Sequence, residues 1–438
     1  MKILIKNGRT VDPKNNLDGK YDILIKDGRI EEIAEEIKIP GLTTDSSIEI
    51  INAGGRIITP GLIDMHTHLR EPGYEEKETI KTGCEAAAAG GFAAVTAMPN
   101  SNPVADNPAV VEHLKLKSTR SAVKVYSVGS ITKKSEGKTL AEIGTLAKAG
   151  VKALSDDGQP VMNSEIMRRA MEYARAFDLP ILSHCEDLNL SGDGVMGEGY
   201  YSTLFGLTPI PKASEEVMVA RDIILAEMTR IHLHICHMST EGSLSLVRDA
   251  RKRGVNVTCE VTPHHLILTD KAVKDYNTDT KVNPPLRSKK DVEALKQALS
   301  EGEIDAVATD HAPHTYEDKL GEYDQAAFGI SGLETAVSLI YENFIKTGLI
   351  GWNELVKLMY VNPARILRLE VEGLKAGSCA DITVFNPNNS WTVEKEKLKS
   401  KGKNTPFAGF ELSGKNEITI VEGKIVYDDR GGKDEILY

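Results

Sequence analysis

Nowhere in this chain do two cysteines stand two residues apart, the spacing of a structural zinc site or a dithiol redox pair. The five cysteines (Cys84, Cys185, Cys236, Cys259 and Cys379) are scattered, and their odd number argues against a complete disulfide framework. A reducing, cytoplasmic compartment is the expectation. Long apolar runs are missing as well: none approaches the roughly 18 residues of a membrane-spanning helix. The opening "MKILIKNGRT" holds only three apolar residues between lysines, too few for the core of a signal peptide. Positive charge is not in surplus, and a formal net charge of -11 opposes non-specific attraction to nucleic acid or anionic membrane. A small, neutral or specifically captured substrate fits better. A glycine-rich phosphate loop is absent too. "EGKT" at Glu136 to Thr139 resembles the end of one, but Thr132 stands where its first glycine is required.

What is present belongs to an ordinary globular protein: 438 residues, 41% hydrophobic and 27% charged. The amino-terminal part holds short β-type runs with a near repeat, "ILIKNGR" from Ile3 and "ILIKDGR" from Ile23. Asn-Gly and Asp-Gly between alternating apolar residues are hairpin signals. The carboxyl end returns to this style in "ADITVFNP" and "EITIVEGKIVYDD". Both termini therefore predict one composite β-sandwich, residues 1–56 plus 375–438. Between them, over 57–374, short apolar strands alternate with helical stretches, the pattern of a parallel sheet with crossover helices. Eight strands are read: "IITPGLIDMH", "FAAVTAMPN", "AVKVYSVGS", "VKALSDDG", "LPILSHCED", "RIHLHICHMS", "VNVTCEVTP" and "IDAVATDHAP". Segments such as "SEIMRRAMEYARAF" and "EEVMVARDIILAEM" carry helical spacing. The predicted class is α/β, a (β/α)8 TIM barrel with a small β-sandwich formed by both chain ends. A doubly wound open sheet is the competing architecture, and it lacks its phosphate loop here.

Residues able to bind a metal fall at the carboxyl ends of these strands, the face where barrel active sites are built. His66 and His68 close the first, Asp156 and Asp157 the fourth, His184 the fifth, His237 the sixth, and Asp310 with His314 the eighth. Residues i and i+2 of a strand project to one side, so His66 and His68 can reach a single ion. With His184, His237, Asp157 and Asp310 they make six nitrogen and oxygen ligands and no thiolate, a set suited to Zn2+. Each piece alone has a plainer reading, as a core histidine or an Asp-Gly turn. In "HLHICH", strand parity puts His232 and His234 on one face and His237 on the other, so only one set is expected to face a common site. His264 and His265 follow the seventh strand as polar loop residues, and His113 reads as surface. Together, the order HxH, Asp, His, His, Asp at five strand ends points to a metal-dependent hydrolase.

On these residues the chain resembles the amidohydrolase superfamily, and within it the dihydroorotases of the long type, with an Asp in place of a carboxylated lysine. The motifs are "DMHTHLREPG", "AMPNSNP", "SDDGQPVM", "SHCED", "HICHMST", "VNPPLR" and "ATDHAPH". The resemblance implies a zinc-dependent cyclic amide hydrolase of pyrimidine (UMP) biosynthesis, converting N-carbamoyl-L-aspartate to L-dihydroorotate reversibly. It implies two Zn2+ ions: His66, His68 and Asp310 on the first, His184 and His237 on the second, Asp157 between them. Asp310 would be the catalytic base. Arg70, Asn100 and His314 would hold the substrate carboxylate, with Asn283 and backbone near Phe328 and Gly329 on the ring. It further implies a homodimer and makes aspartate transcarbamoylase a candidate partner. The alternatives are an allantoinase, hydantoinase or dihydropyrimidinase, or a non-catalytic partner subunit of the same fold. The first three usually carry a carboxylated lysine after the fourth strand, whereas Lys152 lies at that strand's start. Arg70 adds a fork for a carboxylate that plain dihydropyrimidines lack.

Overall fold

The computed structural model describes residues 2–39 and 48–438. Eight parallel strands pair in sequence order: Leu62–Thr67, Phe92–Ala97, Lys124–Gly129, Ala153–Leu154, Ile181–Ser183, Leu233–Ile235, Val257–Val261 and Ala306–Val307. The eighth returns to the first, closing the barrel through a parallel bridge between Thr67 and His311 and a 2.8 Å bond from His68 N to His311 O. All eight carboxyl ends therefore share one rim.

The helices between strands show why each segment is helical. Over Ser164–Arg175, Met167, Ala170, Met171 and Ala174 are buried at helical spacing, and the Asn163 side chain caps the amino end. Ile80–Gly90 starts on a Thr79/Thr82 capping box and stops at Gly91, whose φ of 90° is left-handed. Inside the barrel, Met65, Met98, Val128, Ala153, Leu182 and Ala306 pack with Ile366 and Leu367 into an apolar plug below the rim. No helix among the described residues is long and apolar enough to cross a membrane.

A second sheet joins both chain ends. Lys2–Asp12, Leu17–Lys26, Arg29–Ala34, Ile48–Asn52 and Ile57–Pro60 pair with Ile382–Thr392, Glu411–Val421, Lys424–Asp428 and Glu435–Ile436 in one nine-stranded sheet. Ile3, Ile5, Ile23 and Ile25 from one part share a core with Ile382, Ile418 and Ile420 from the other. The sheet thus folds over on itself.

Two local expectations change. "IITPGLIDMH" is two strands, Ile57–Pro60 in the terminal sheet and Leu62–Thr67 in the barrel, broken at Gly61. Of the two glycine dipeptides, Asp27-Gly28 makes the expected tight turn with positive φ at both residues. Asn7-Gly8 instead lies within one continuous strand, as a bulge where Asn7 N donates to Asp22 Oδ1 at 3.0 Å. The Ile58 side chain packs directly over Gly8, so that a Cβ there would have to push it aside.

Gly61 is equally constrained, since a methyl group there would overlap Ala93 Cβ and stand 3.2 Å from the Asp381 backbone. Gly61→Ala is expected to destabilise the fold by about 1–3 kcal/mol through overpacking, read as a lower midpoint in urea unfolding. An unchanged midpoint would mean that the junction between the sheets is loose.

Candidate active site

The six ligand-type residues converge at the barrel rim, and all are buried. Asp157 is at the centre. Its Oδ1 lies 3.3 Å from His66 Nε2, 3.4 Å from His237 Nε2 and 3.6 Å from His184 Nδ1, while its Oδ2 lies 3.4 Å from His68 Nε2. Asp310 Oδ1 is 3.0 Å from His68 Nε2 and 3.5 Å from His66 Nε2. The side chains form two overlapping groups able to hold an ion, His66, His68 and Asp157 on one side and Asp157, His184 and His237 on the other.

The donors fit metal ions better than they fit one another. His66 Nε2 and Asp157 Oδ1 are buried and face each other without a hydrogen bond among the described residues. His184 Nδ1 and His237 Nε2 approach to 2.9 Å, a contact in which only one nitrogen can carry a proton. Burial works against charge here, yet the histidines hold Asp157 well below the usual carboxylate range, and Asp157 with Glu260 pushes His66 well up. A divalent cation shared by these lone pairs supplies the same compensation with a hard charge.

Backbone conformation aims several of these groups. Arg70, His237 and Asp310 have φ of 61°, 32° and 48°, a region that side-chain-bearing residues adopt only where surroundings enforce it. This corrects the parity argument. The sixth strand ends at Ile235, so His237 lies beyond the alternation and turns inward. His234 also faces inward, its Nε2 3.2 Å from Glu260 Oε2 one level below the rim. His232 and His234 both contact Thr258 Oγ1, at 2.9 Å each.

Two carboxylates escape the sequence reading. Glu260 Oε1 accepts from His66 Nδ1 at 2.6 Å, and from His237 N at 3.3 Å. Burial opposes its ionisation, but His66 and His234 hold Glu260 at about 2. Glu186 Oε2 lies 3.3 Å from His184 Nε2 and accepts from Asn283 Nδ2 at 2.8 Å. The available signals were a lone glutamate in the apolar strand "VTCEV" and the acid two residues after His184 in "SHCED". A third close group, His66, Cys236 and Glu260, lies beneath the rim. Asp156 is an anchor of the loop instead, accepting from Ile131 N at 2.7 Å and Thr132 N at 3.0 Å. His265 is tied to Thr262 Oγ1 and the Pro284 carbonyl, and Lys152 sits over the Tyr126 ring, 5.8 Å from its centroid.

A cavity of about 210 Å3 opens over the cluster, lined by Arg70, Asn100, Asn283, Phe328 and Gly329 together with His68, Asp157 and Asp310. Two amides are oriented by their neighbours. Asn100 Oδ1 accepts from His68 Nδ1 at 2.9 Å, so its NH2 is left to the cavity. Asn283 uses its NH2 on Glu186, which leaves its oxygen. Arg70 Nε donates to Pro313 O at 3.2 Å. His314 stands behind this wall, its Nε2 2.8 Å from Phe328 O and 3.4 Å from Arg70 Nη2. Burial, with Arg70 and Lys77, lowers its pKa to about 3, so the ring is neutral.

The family model "Dihydro-orotase-like" matches residues 55–243. The dihydroorotase of Syntrophus aciditrophicus (strain SB) is 52% identical over 430 residues, covering 98% of this chain and 100% of the relative. That of Geobacter metallireducens is 50% identical over 428 residues, 98% and 100%. Among solved structures, an L-hydantoinase (dihydropyrimidinase) from Arthrobacter aurescens superposes with a TM-score of 0.86 at 23% identity, covering 100% of this chain and 97% of its own. A dihydropyrimidinase from Brevibacillus agri does so with 0.85 at 22%, covering 98% and 96%. The likeness to those two structures is one of fold. With half of all positions shared with dihydroorotases from end to end, and the histidine and aspartate cluster in place on the barrel rim, the chain belongs to the dihydroorotase family.

Proposed function

We propose that the rim cluster interconverts L-dihydroorotate and N-carbamoyl-L-aspartate with two Zn2+ ions. His66, His68 and Asp310 would hold one, His184 and His237 the other, and Asp157 would lie between them. The observation that carries this reading is one small cavity in which a guanidinium fork adjoins a hydrolytic cluster. A divalent metal bound there supplies Lewis acidity, polarising a carbonyl and making water acidic near neutral pH.

The chain's own residues do the rest. Arg70 presents its fork, and Asn100 its NH2, to the exocyclic carboxylate. Asn283 offers an oxygen to a ring N–H. Asp310, held ionised by His66 and His68 against the effect of burial, takes a proton from the attacking water. It then delivers that proton to the ring nitrogen as the ring amide carbon–nitrogen bond breaks. Ring closure runs the same transfers backward, with the carbamoyl nitrogen giving up its proton to Asp310 and water leaving.

The ligands need fixed orientation, and their outer nitrogens are held: His66 by Glu260, His68 by Asn100 and His184 by Glu186. Among the described residues, His237 Nδ1 has no such partner, and the bond from its backbone N to Glu260 serves instead.

Asp310→Asn should lower kcat by about 10²–10⁴ while dihydroorotate still binds in equilibrium titration, and near-normal turnover would remove Asp310 as base. Arg70→Met should raise KM for dihydroorotate by roughly tenfold to a hundredfold, the worth of a charged hydrogen bond. If KM does not move, the carboxylate sits elsewhere. For Glu260→Gln, chelator competition should show metal affinity reduced about 10- to 100-fold. A panel of dihydroorotate, allantoin, hydantoin and dihydrouracil, each with zinc and with chelator, tests the reaction itself. Preference for any other ring would overturn the substrate and leave the metal cluster intact.

A further inference from the structure

A buried ammonium must find acceptors for three N–H groups or remain out of water unpaired. Lys319, buried near the end of the short helix Tyr316–Lys319, finds all three on backbone carbonyls. Its Nζ donates to Ala327 O at 2.7 Å, to Thr278 O at 3.1 Å and to Lys281 O at 3.1 Å. These carbonyls belong to two different segments. Ala327 precedes Phe328 and Gly329, and Thr278 and Lys281 lead into Val282 and Asn283, so both segments run directly into the wall of the cavity.

The connection is reciprocal. Thr278 Oγ1 donates back to Lys319 O at 2.6 Å, and Gly329 N donates to Lys281 O at 2.9 Å. Lys281 crosses the other way, its Nζ donating to Asp324 O at 2.9 Å and lying 4.5 Å from the Phe328 ring centroid. The segment that Lys319 belongs to leaves the barrel at His311 and returns at Ile330, where Ala312 N bonds Ile330 O at 2.9 Å. Between those points the two lysine ammonium groups supply three bonds to or from the 278–283 segment, beside those made by Thr278 Oγ1, Gly329 N and the Thr280 and Tyr323 hydroxyls. Neither lysine is a metal-type ligand, and no function assigned above uses them.

We infer that Lys319, crossed by Lys281, is a positioning residue that sets the ring-facing wall of the cavity by fastening the 278–283 segment to the excursion after the eighth strand. The inference rests on the reading of this cavity as the substrate site. Replacing the ammonium by a methyl-ended chain of similar length removes three bonds at once. The wall would then shift relative to Arg70, Asp310 and the metal ligands, which stand on the barrel rim and stay in place. Binding should suffer and chemistry should not.

The test is Lys319→Met in the full-length, metal-loaded enzyme, with hydrogen exchange measured without substrate and steady-state kinetics with dihydroorotate. Expected are loss of protection at the Gly329 and Ala327 amides, a KM raised roughly tenfold or more, an unchanged metal content and an unaltered kcat. Unchanged protection at those amides overturns the clamp whatever the kinetics show. A fall in kcat and metal content together with KM overturns it in favour of a general folding role. If protection is lost but KM holds, Lys319 does not position the substrate wall; should Arg70→Met also leave KM unchanged, the substrate reading of the cavity fails with it. Where Lys319→Met does not fold, Lys319→Gln, whose shorter neutral amide cannot donate to all three carbonyls, is read by the same measurements with the same outcomes.

Discussion

Asp157 bears a negative charge in a buried position at the floor of the cavity, with four imidazoles within 3.6 Å of its two oxygens. A lone carboxylate in such a place would neutralise itself by taking up a proton. Because it is surrounded, it stays charged, and everything nearby is arranged around keeping it so. The histidines arrive from three different strands, which is possible only because a closed parallel barrel brings all its carboxyl ends to one rim. The positive φ values of His237 and Asp310 each carry about 1–3 kcal/mol of strain, and they persist because packing on every side over-determines them.

That requirement reaches downward and outward. Below the rim, His234 and Glu260 form a polar column seated on Thr258, with the aliphatic plug underneath. Glu260 is fastened from both sides, to the ring of His66 and the backbone of His237, so the two halves of the cluster share one support. Outward, the carboxyl-terminal part of the chain reaches the site's edge. The buried Asn404 side chain donates to Ala312 O at 3.0 Å and Gly329 O at 2.9 Å, and accepts from His314 N at 2.8 Å. A residue 90 positions after His314 thus helps fix the loop that carries it. The connection between the strands Ile382–Thr392 and Glu411–Val421 of the terminal sheet is in this sense part of the barrel's active face.

How much of this was legible follows from how local each signal is. Strand identity was readable because eight apolar runs recur with helical stretches between them, and the ligand residues were readable because each ends such a run. What escaped is non-local. Nothing within "IITPGLIDMH" tells that Ile57–Pro60 belongs to another sheet; the break depends on Ala93 and Asp381 pressing on Gly61. Asn7-Gly8 has the composition of a turn and becomes a bulge because Asp22, fifteen residues on, captures the Asn7 amide. The parity rule for "HLHICH" holds only while a strand lasts, and this one ends two residues before His237. Glu186, Glu260 and Lys319 matter through partners that no spacing rule identifies.

The barrel and its folded-over sheet do not by themselves choose a substrate, since solved hydantoinase and dihydropyrimidinase structures superpose on the whole chain at 22–23% identity. Discrimination has to come from the few groups facing the cavity. Arg70 is well suited to it because its environment is demanding: burial lowers its pKa, while Asp310 and Asp157 act in the opposite sense, and one of its donors is already committed to Pro313 O. On the proposed reading, a ring bearing a carboxylate would complete its bonding, and a ring without one would leave the remaining donors of a half-buried guanidinium without an acceptor. Sites built around a polar group reject analogues lacking it far more strongly than apolar pockets reject a missing methylene. The amides of Asn100 and Asn283 are oriented in the same way, one leaving a donor and the other an acceptor to the cavity, set by His68 and by Glu186. His68 thus fixes the way Asn100 points, while Asn283 is fixed by Glu186, the carboxylate that also contacts His184.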